Sequence, residues 1–437
     1  MNRTLALFSF LLSLVAAVPT PATTCGEYIL HLLSVSAPLP VFQITGQDAS
    51  PDYTLALSQT PTGKSVLVLS RPNILKANLV EVASGDFLRS LDFDHPDHSW
   101  GVIPGVSLPG GQIGLASFPR RNEIMRFALH QPFSGETVLL PSSPALSYPS
   151  YRAAAIWSGS DGVLVSDSQT IIRFRGNQSD ASPSLRQNGT FFATLPITRN
   201  GQVIYYAVAH EDLSPVDRNY AATVSLVKPE KLEVDWKFSQ YEMTEKLENS
   251  HITSLAQVTL PGGDPYLLGL AVRYETGGFN FGQLQREGWS GTPFQMAEKL
   301  GMIQFLEIGR RVLENEDSGV LNLLTVNLND QSVDVCPIPA SLALIPSTVL
   351  LLGGEGREPY VLGVSTDAVH RLDIYRLRQL EKVGSLELSG ESFDVKMSNV
   401  LYNPLTLRKA QTGHDLLIGK TKSGRVVTME IRFASGS

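Results

Sequence analysis

Two stretches far apart in the chain share one form. Residues 54–70 read TLALSQ-TPTG-KSVLVLS and residues 415–431 read DLLIGK-TKSG-RVVTMEI. In each, one apolar run meets a second across a turn carrying Gly63 or Gly424. Glycine supplies the positive φ that tight hairpin turns need. Runs apolar on both faces must be covered on both faces, so such a hairpin needs a neighbour on each side.

The unit recurs. Paired apolar runs begin near Tyr53, Gln112, Gly162, Val203, Tyr266, Tyr360 and Asp415, at steps of mostly about 40–60 residues. Turns such as Ser84-Gly85-Asp86, Ser134-Gly135-Glu136, Asn200-Gly201 and Ser389-Gly390-Glu391 fall between apolar runs. Residues 302–328 add strand-forming material between the fifth unit and the sixth. Each unit has room for a four-stranded antiparallel sheet, and the matching head and tail suit circular closure. The prediction is an all-β chain folded as a β-propeller of seven blades, with six or eight as alternatives. Segments 27–33 and 40–44 would complete the last blade. One short inserted helix is predicted over 293–300, with Thr292 as cap, Pro293 in the first turn and Gly301 as its stop.

Two segments carry a resemblance. LVEVASGDFLRSL (79–91) resembles the last two strands of a WD40-type blade, although it lacks the Trp-Asp pair. DGVLVSDSQTIIRFRG (161–176) resembles an NHL or gluconolactonase-like blade. The resemblance implies the propeller fold. From the gluconolactonase-like group it also implies a divalent metal held by carboxylates in the central channel, as an alternative function. Asp161, Asp167 and Asp367 are acids near blade strands, and each also reads as a turn residue.

The N-terminus reads as a secretory signal. Arg3 precedes an apolar run from Leu5 to Val15, and Val15-Ala16-Ala17 offers small residues for cleavage. The expected organisation is 1–17 signal peptide, 18–25 linker and 26–437 a single propeller domain. The mature chain is then expected to be secreted, without a membrane span, and monomeric. An oxidising compartment invites a disulfide between the two cysteines, Cys25 and Cys336. It also makes Asn177 (Asn-Gln-Ser) and Asn188 (Asn-Gly-Thr) acceptors for N-glycosylation. With 35 Lys+Arg against 42 Asp+Glu and no dense basic cluster, no nucleic-acid partner is expected.

The stretch LDFDHPDHSW (91–100) crowds acids and histidines together. Asp92, Asp94 and His98 have donor types that suit zinc or manganese. They match no recognised metal spacing, and His95-Pro96-Asp97-His98 reads as a β-turn between blades. Gly63-Lys64-Ser65 ends like a phosphate loop, but Ser58 stands where its first glycine belongs; Gly419-Lys420-Thr421 fails likewise at His414. His210-Glu211-Asp212 reads as a polar loop entry without a catalytic role. The chain therefore reads as a non-catalytic binding protein with no cofactor. The strongest recognition candidate is 274–291, where Tyr274, Phe279, Phe281 and Trp289 stand among glycines. Its partner would be a protein, a small molecule or a carbohydrate. A channel-metal lactonase or esterase is the alternative, and a structural protein of an extracellular coat or matrix is a third reading.

Overall fold

The computed structural model describes residues 23–25, 28–35, 54–70, 76–95, 98–103, 108–118, 126–140, 154–157, 163–166, 171–175, 178–181, 191–200, 202–213, 220–239, 250–259, 265–273, 320–338, 342–353, 359–377, 379–395, 405–409 and 415–433. These residues form antiparallel sheets arranged as a β-propeller. The first strands in the chain, β1 (Thr23–Cys25) and β2 (Tyr28–Val35), belong to the last sheet. Sheet 1 follows as β3 (Thr54–Gln59), β4 (Ser65–Ser70), β5 (Lys76–Glu81) and β6 (Phe87–Asp92). Sheet 2 contains β7 (Asp94–His95), β8 (His98–Val102), β9 (Ile113–Phe118), β10 (Phe127–His130) and β11 (Thr137–Leu139). Sheet 3 is β12 (Ala154–Trp157), β13 (Val163–Ser166), β14 (Ile171–Arg175) and β15 (Gln178–Ala181). Sheet 4 is β16 (Phe191–Arg199), β17 (Gln202–Leu213), β18 (Tyr220–Val227) and β19 (Val234–Ser239). Sheet 5 is β20 (Ser250–Thr259), β21 (Pro265–Arg273), β22 (Val320–Asn327) and β23 (Val333–Pro337). Sheet 6 is β24 (Leu350–Leu352), β25 (Tyr360–Val364), β26 (Arg371–Arg376) and β27 (Glu381–Glu387). Sheet 7 joins β28 (Leu405–Lys409), β29 (Asp415–Lys420) and β30 (Val426–Phe433) to β2 and β1.

Five sheets thus have four strands, and sheets 2 and 7 have five. Each apolar strand buries both its faces, one against each neighbouring sheet. In β4, Val66 and Val68 pack toward sheet 2, whereas Leu67 and Leu69 pack toward sheet 7. Clusters of this kind also join sheets 4 and 5, 5 and 6, and 6 and 7. Sheet 3 is tied to sheet 4 by Arg173, whose guanidinium donates to the carbonyls of Pro229 and Glu230 in the β18–β19 turn.

The ring closes through sheet 7. Leu57, Leu67, Leu69, Val80 and Val82 of sheet 1 pack against Leu416, Ile418 and Val426. Strand β2 then pairs antiparallel with β30, Tyr28 opposite Phe433 and Val35 opposite Val427. The expected strand near 27–33 is therefore present. The sheet reaches further back than expected, because β1 pairs Thr23 with Leu30 inside the segment read as linker. Segment 40–44 and the helix expected over 293–300 lie outside the described residues. The strand material expected over 302–328 is described from Val320, where it is the third strand of sheet 5 and not an addition to it.

Candidate functional site

The first strand of each sheet borders the propeller axis, and successive first strands touch: β12 with β16, β16 with β20, β20 with β24 and β24 with β28. In sheet 2, where β7 is a two-residue addition, β8 takes that place against β3. Side chains lock these strands to one another. The Gln257 amide on β20 grips the Thr198 peptide unit on β16: its Oε1 accepts from the Thr198 N–H at 2.8 Å, and its Nε2 donates to the Thr198 carbonyl. Ser254 Oγ accepts from the Leu351 N–H at 3.1 Å, joining β20 to β24. Ser58 on β3 donates to the carbonyl of Gly111, in the connection between β8 and β9.

The chemistry of these strands is one-sided. TLALSQ, HSWGV, AAIW, FFATLPITR, SHITSLAQVT, LLL and LTLRK contain hydroxyls, amides, histidines and cations but no carboxylate, whereas β7, at the axial edge of sheet 2, adds Asp94. Several buried and half-buried acids of the described residues lie further from the axis, held by cations. Asp373 on β26 is 1% exposed and meets Lys382 Nζ at 2.8 Å and Arg371 Nε at 3.0 Å. That pairing holds the Arg371 guanidinium above its ordinary pKa. Glu81 meets Lys64 at 2.6 Å, and this bond, with one from Ser84, lowers its carboxyl pKa. Glu391 meets Arg425 at 3.1 Å.

Strand polarity sorts the connections onto two faces. Antiparallel order puts first-to-second and third-to-fourth turns at one end of every sheet. These are short, as at 60–64, 82–86, 200–201 and 377–380. The other end receives second-to-third turns and the crossovers between sheets, including 36–53, 140–153, 338–349 and 388–404. Segment 274–319 leaves β21 after Arg273 and returns at Val320, which are register partners at that same end.

Tyr274, Phe279, Phe281 and Trp289 belong to this segment and lie outside the described residues. Within LDFDHPDHSW, β7 and β8 form a hairpin with His95 opposite His98, so the chain reverses there inside sheet 2 and not between blades as expected. Trp100 enters β8 and is buried beside Leu91 and Phe93. Asp92 is exposed and pairs with Lys76 at 3.7 Å. The side chains of Asp94 and His98 lie outside the described residues. Among the described residues no group of three His, Cys, Asp or Glu could hold a metal ion. Asp367 is an exposed turn residue that reaches Arg371 at 3.9 Å, whereas Asp161 and Asp167 lie outside the described residues. Cys25 belongs to β1 of sheet 7 and Cys336 to β23 of sheet 5, where its thiol donates to Asp334. Asn177 and Asn188 lie outside the described residues, on either side of β15. Among the described residues no helix is long and apolar enough to cross a membrane.

His210 corrects one expectation. It is not at a loop entry but inside β17, 2% exposed, with its Nε2 sharing a hydrogen bond with Ser225 Oγ at 3.0 Å. A His–Ser pair resembles a nucleophile and its base, but with Ser225 fully buried it works as a cross-strand link. A second histidine, His130, was not singled out from the sequence at all. It faces sheet 1 from β10 and is 9% exposed. Its signal is faint: one polar residue ending the apolar run FALH.

Neither protein families nor curated proteins give a match to this chain. Among solved structures the chain is similar to polysaccharide lyase Uly1, at 10% identity and a TM-score of 0.49, over 95% of this chain and 100% of that one. It is similar to the WD40 domain of SCAP from fission yeast, at 10% identity and a TM-score of 0.42, over 87% and 85% of the two chains. A third similar structure is the α-L-arabinanase of Penicillium chrysogenum in complex with arabinobiose, at 10% identity and a TM-score of 0.40, over 94% and 97%. At such identities the likeness is one of fold.

Proposed function

We propose that this protein is a secreted, non-catalytic recognition module, monomeric, whose propeller presents a binding face to a protein or carbohydrate ligand. The observation that carries this reading is the inequality of the two faces. One end of the sheets has short turns, and the other gathers the crossovers together with 274–319. Recognition loops on a rigid scaffold are the usual way such a fold binds. Tyr274, Phe279, Phe281 and Trp289 belong in sequence to the connection whose flanks meet at that end, and large flat side chains contribute contact area with little rotamer freedom to lose.

The test compares the purified chain with a Phe281→Ala/Trp289→Ala variant on a panel of immobilised glycans and extracellular proteins. Binding by the parent, lost by about tenfold or more in a variant with unchanged thermal unfolding, supports the proposal. Equal binding by both removes these aromatics from the site. Metal content and turnover of a lactone and ester panel, with and without chelator, address the rival. Stoichiometric metal with chelator-sensitive turnover would replace recognition by catalysis.

A further inference from the structure

We propose that the seam between sheets 1 and 2 is an acid-sensitive joint, in which protonation of His130 drives Arg89 off Phe133 and loosens β10 and β11 from sheet 1. This inference stands apart from whatever the loops bind. His130 ends β10 on the side that packs against sheet 1, beside Ala128 and the cluster containing Leu79, Leu91 and Phe93. Its ring meets Phe93 edge-on, with centroids 5.4 Å apart. Nδ1 shares a hydrogen bond with Thr137 Oγ1 at 2.9 Å, across the register pair that joins β10 to β11. Nε2 is buried and has no hydrogen-bond partner among the described residues. A neutral ring tolerates that position. A protonated ring must carry a donor at both nitrogens, and only Nδ1 has an acceptor.

The surroundings add a second penalty. Arg89 on β6 reaches across the seam to lie 5.6 Å from the centre of the Phe133 ring, in the turn after β10. Its charge and the burial of the ring both hold His130 below the ordinary histidine pKa, burial being the larger cause. Among the described residues no carboxylate offsets this. Glu136 stands exposed at the tip of the same hairpin, and Asp92 is directed to Lys76. The neighbours from β9 and β5 are apolar: Ile113, Ala77 and Leu79.

The sign follows from linkage. The unfolded chain takes up this proton near pH 6.5, whereas the folded seam takes it up only at lower pH. The contribution of the neutral ring is therefore complete above pH 6.5 and declines as pH falls through the folded value. Arg89 is the mobile partner because its side chain is exposed, so repulsion moves it before it moves the sheet.

Amide hydrogen exchange of the full chain at pH 7.5 and 5.0, corrected for intrinsic rates, tests this. The expected result is about a tenfold loss of protection at β6, β10 and β11 in acid, with sheets 5 and 6 unchanged. A His130→Gln variant should lose the selective effect. Persistence of the effect in H130Q, or its absence in the parent, overturns the proposal. If H130Q does not fold, C2-hydrogen exchange of His130 in the unaltered chain decides. A titration midpoint below that of the same residue in the denatured chain supports the joint, and an equal or higher midpoint refutes it.

Discussion

Asp373 shows what single residues do in this protein. It lies between Leu372 and Ile374 in a strand otherwise apolar at its centre, and it is tolerated because Arg371 and Lys382 neutralise it from two sides. Removing it leaves two cations facing a site built for an anion. Asp373→Ala is expected to lower unfolding free energy by about 3 kcal/mol, read from urea denaturation. Paired replacement of Asp373 and Lys382 should cost less than the sum of the single changes. Gly353 is constrained differently: a Cβ there would stand 2.8 Å from Val258 Cγ1 and 3.0 Å from the Gln257 carbonyl. Gly353→Ala should therefore cost about 1–3 kcal/mol in the same assay, through overpacking between sheets 5 and 6. Arg371, two positions before Asp373 on the same strand, is a partner visible in the sequence, whereas Lys382 is not, because it reaches Asp373 only once β27 pairs with β26. The turn in LDFDHPDHSW was legible because its signals, Pro96 and the polar residues around it, are local. His130 was not, since the seam that buries it is built by residues of another sheet.

At the scale of elements, hairpins were readable and their phase was not. Six of the seven unit starts, from Gln112 onward, fall at the second strand of a sheet, while the first, near Tyr53, falls at a first strand. The reason is physical. Second and third strands are paired on both edges and covered on both faces, so they are long apolar runs such as YLLGLAV and VLNLLTV. First strands have one edge toward the axis and can be as short as LLL, with no alternation to betray them. Their stability comes from side chains that bridge sheets, and Gln257 is the clearest case. Gln257→Ala would leave the Thr198 N–H and carbonyl without their partner, at a cost of about 1–3 kcal/mol. Gln257→Glu keeps the acceptor but sets a carboxylate oxygen against the Thr198 carbonyl, so it should destabilise at least as much. Urea midpoints of the two variants, with amide exchange along β16 and β20, give the comparison. A midpoint unchanged in both would mean that apolar contacts between sheets 4 and 5 suffice without the bridge.

At the scale of the whole molecule, the matched stretches 54–70 and 415–431 meet, although not as equivalents. The first is the first and second strand of sheet 1, and the second is the second and third strand of sheet 7. They face each other through Leu57, Leu67 and Leu69 on one side and Leu416, Ile418 and Val426 on the other. This apolar contact brings head to tail, but it leaves the outer edge of β30 open. The N-terminal strands fill that edge, so one sheet is built from both ends of the chain. Beginning the chain at residue 36 removes β1 and β2 and bares the backbone donors and acceptors of β30. An open edge invites pairing with another copy. The truncated protein should unfold at lower urea, associate in a concentration-dependent way on light scattering, and exchange the amides of sheet 7 first. A synthetic peptide covering 23–35 should reverse all three effects by re-forming the β2–β30 ladder. A truncated chain that stays monomeric with an unchanged midpoint would show that the apolar contact between sheets 1 and 7 closes the ring unaided.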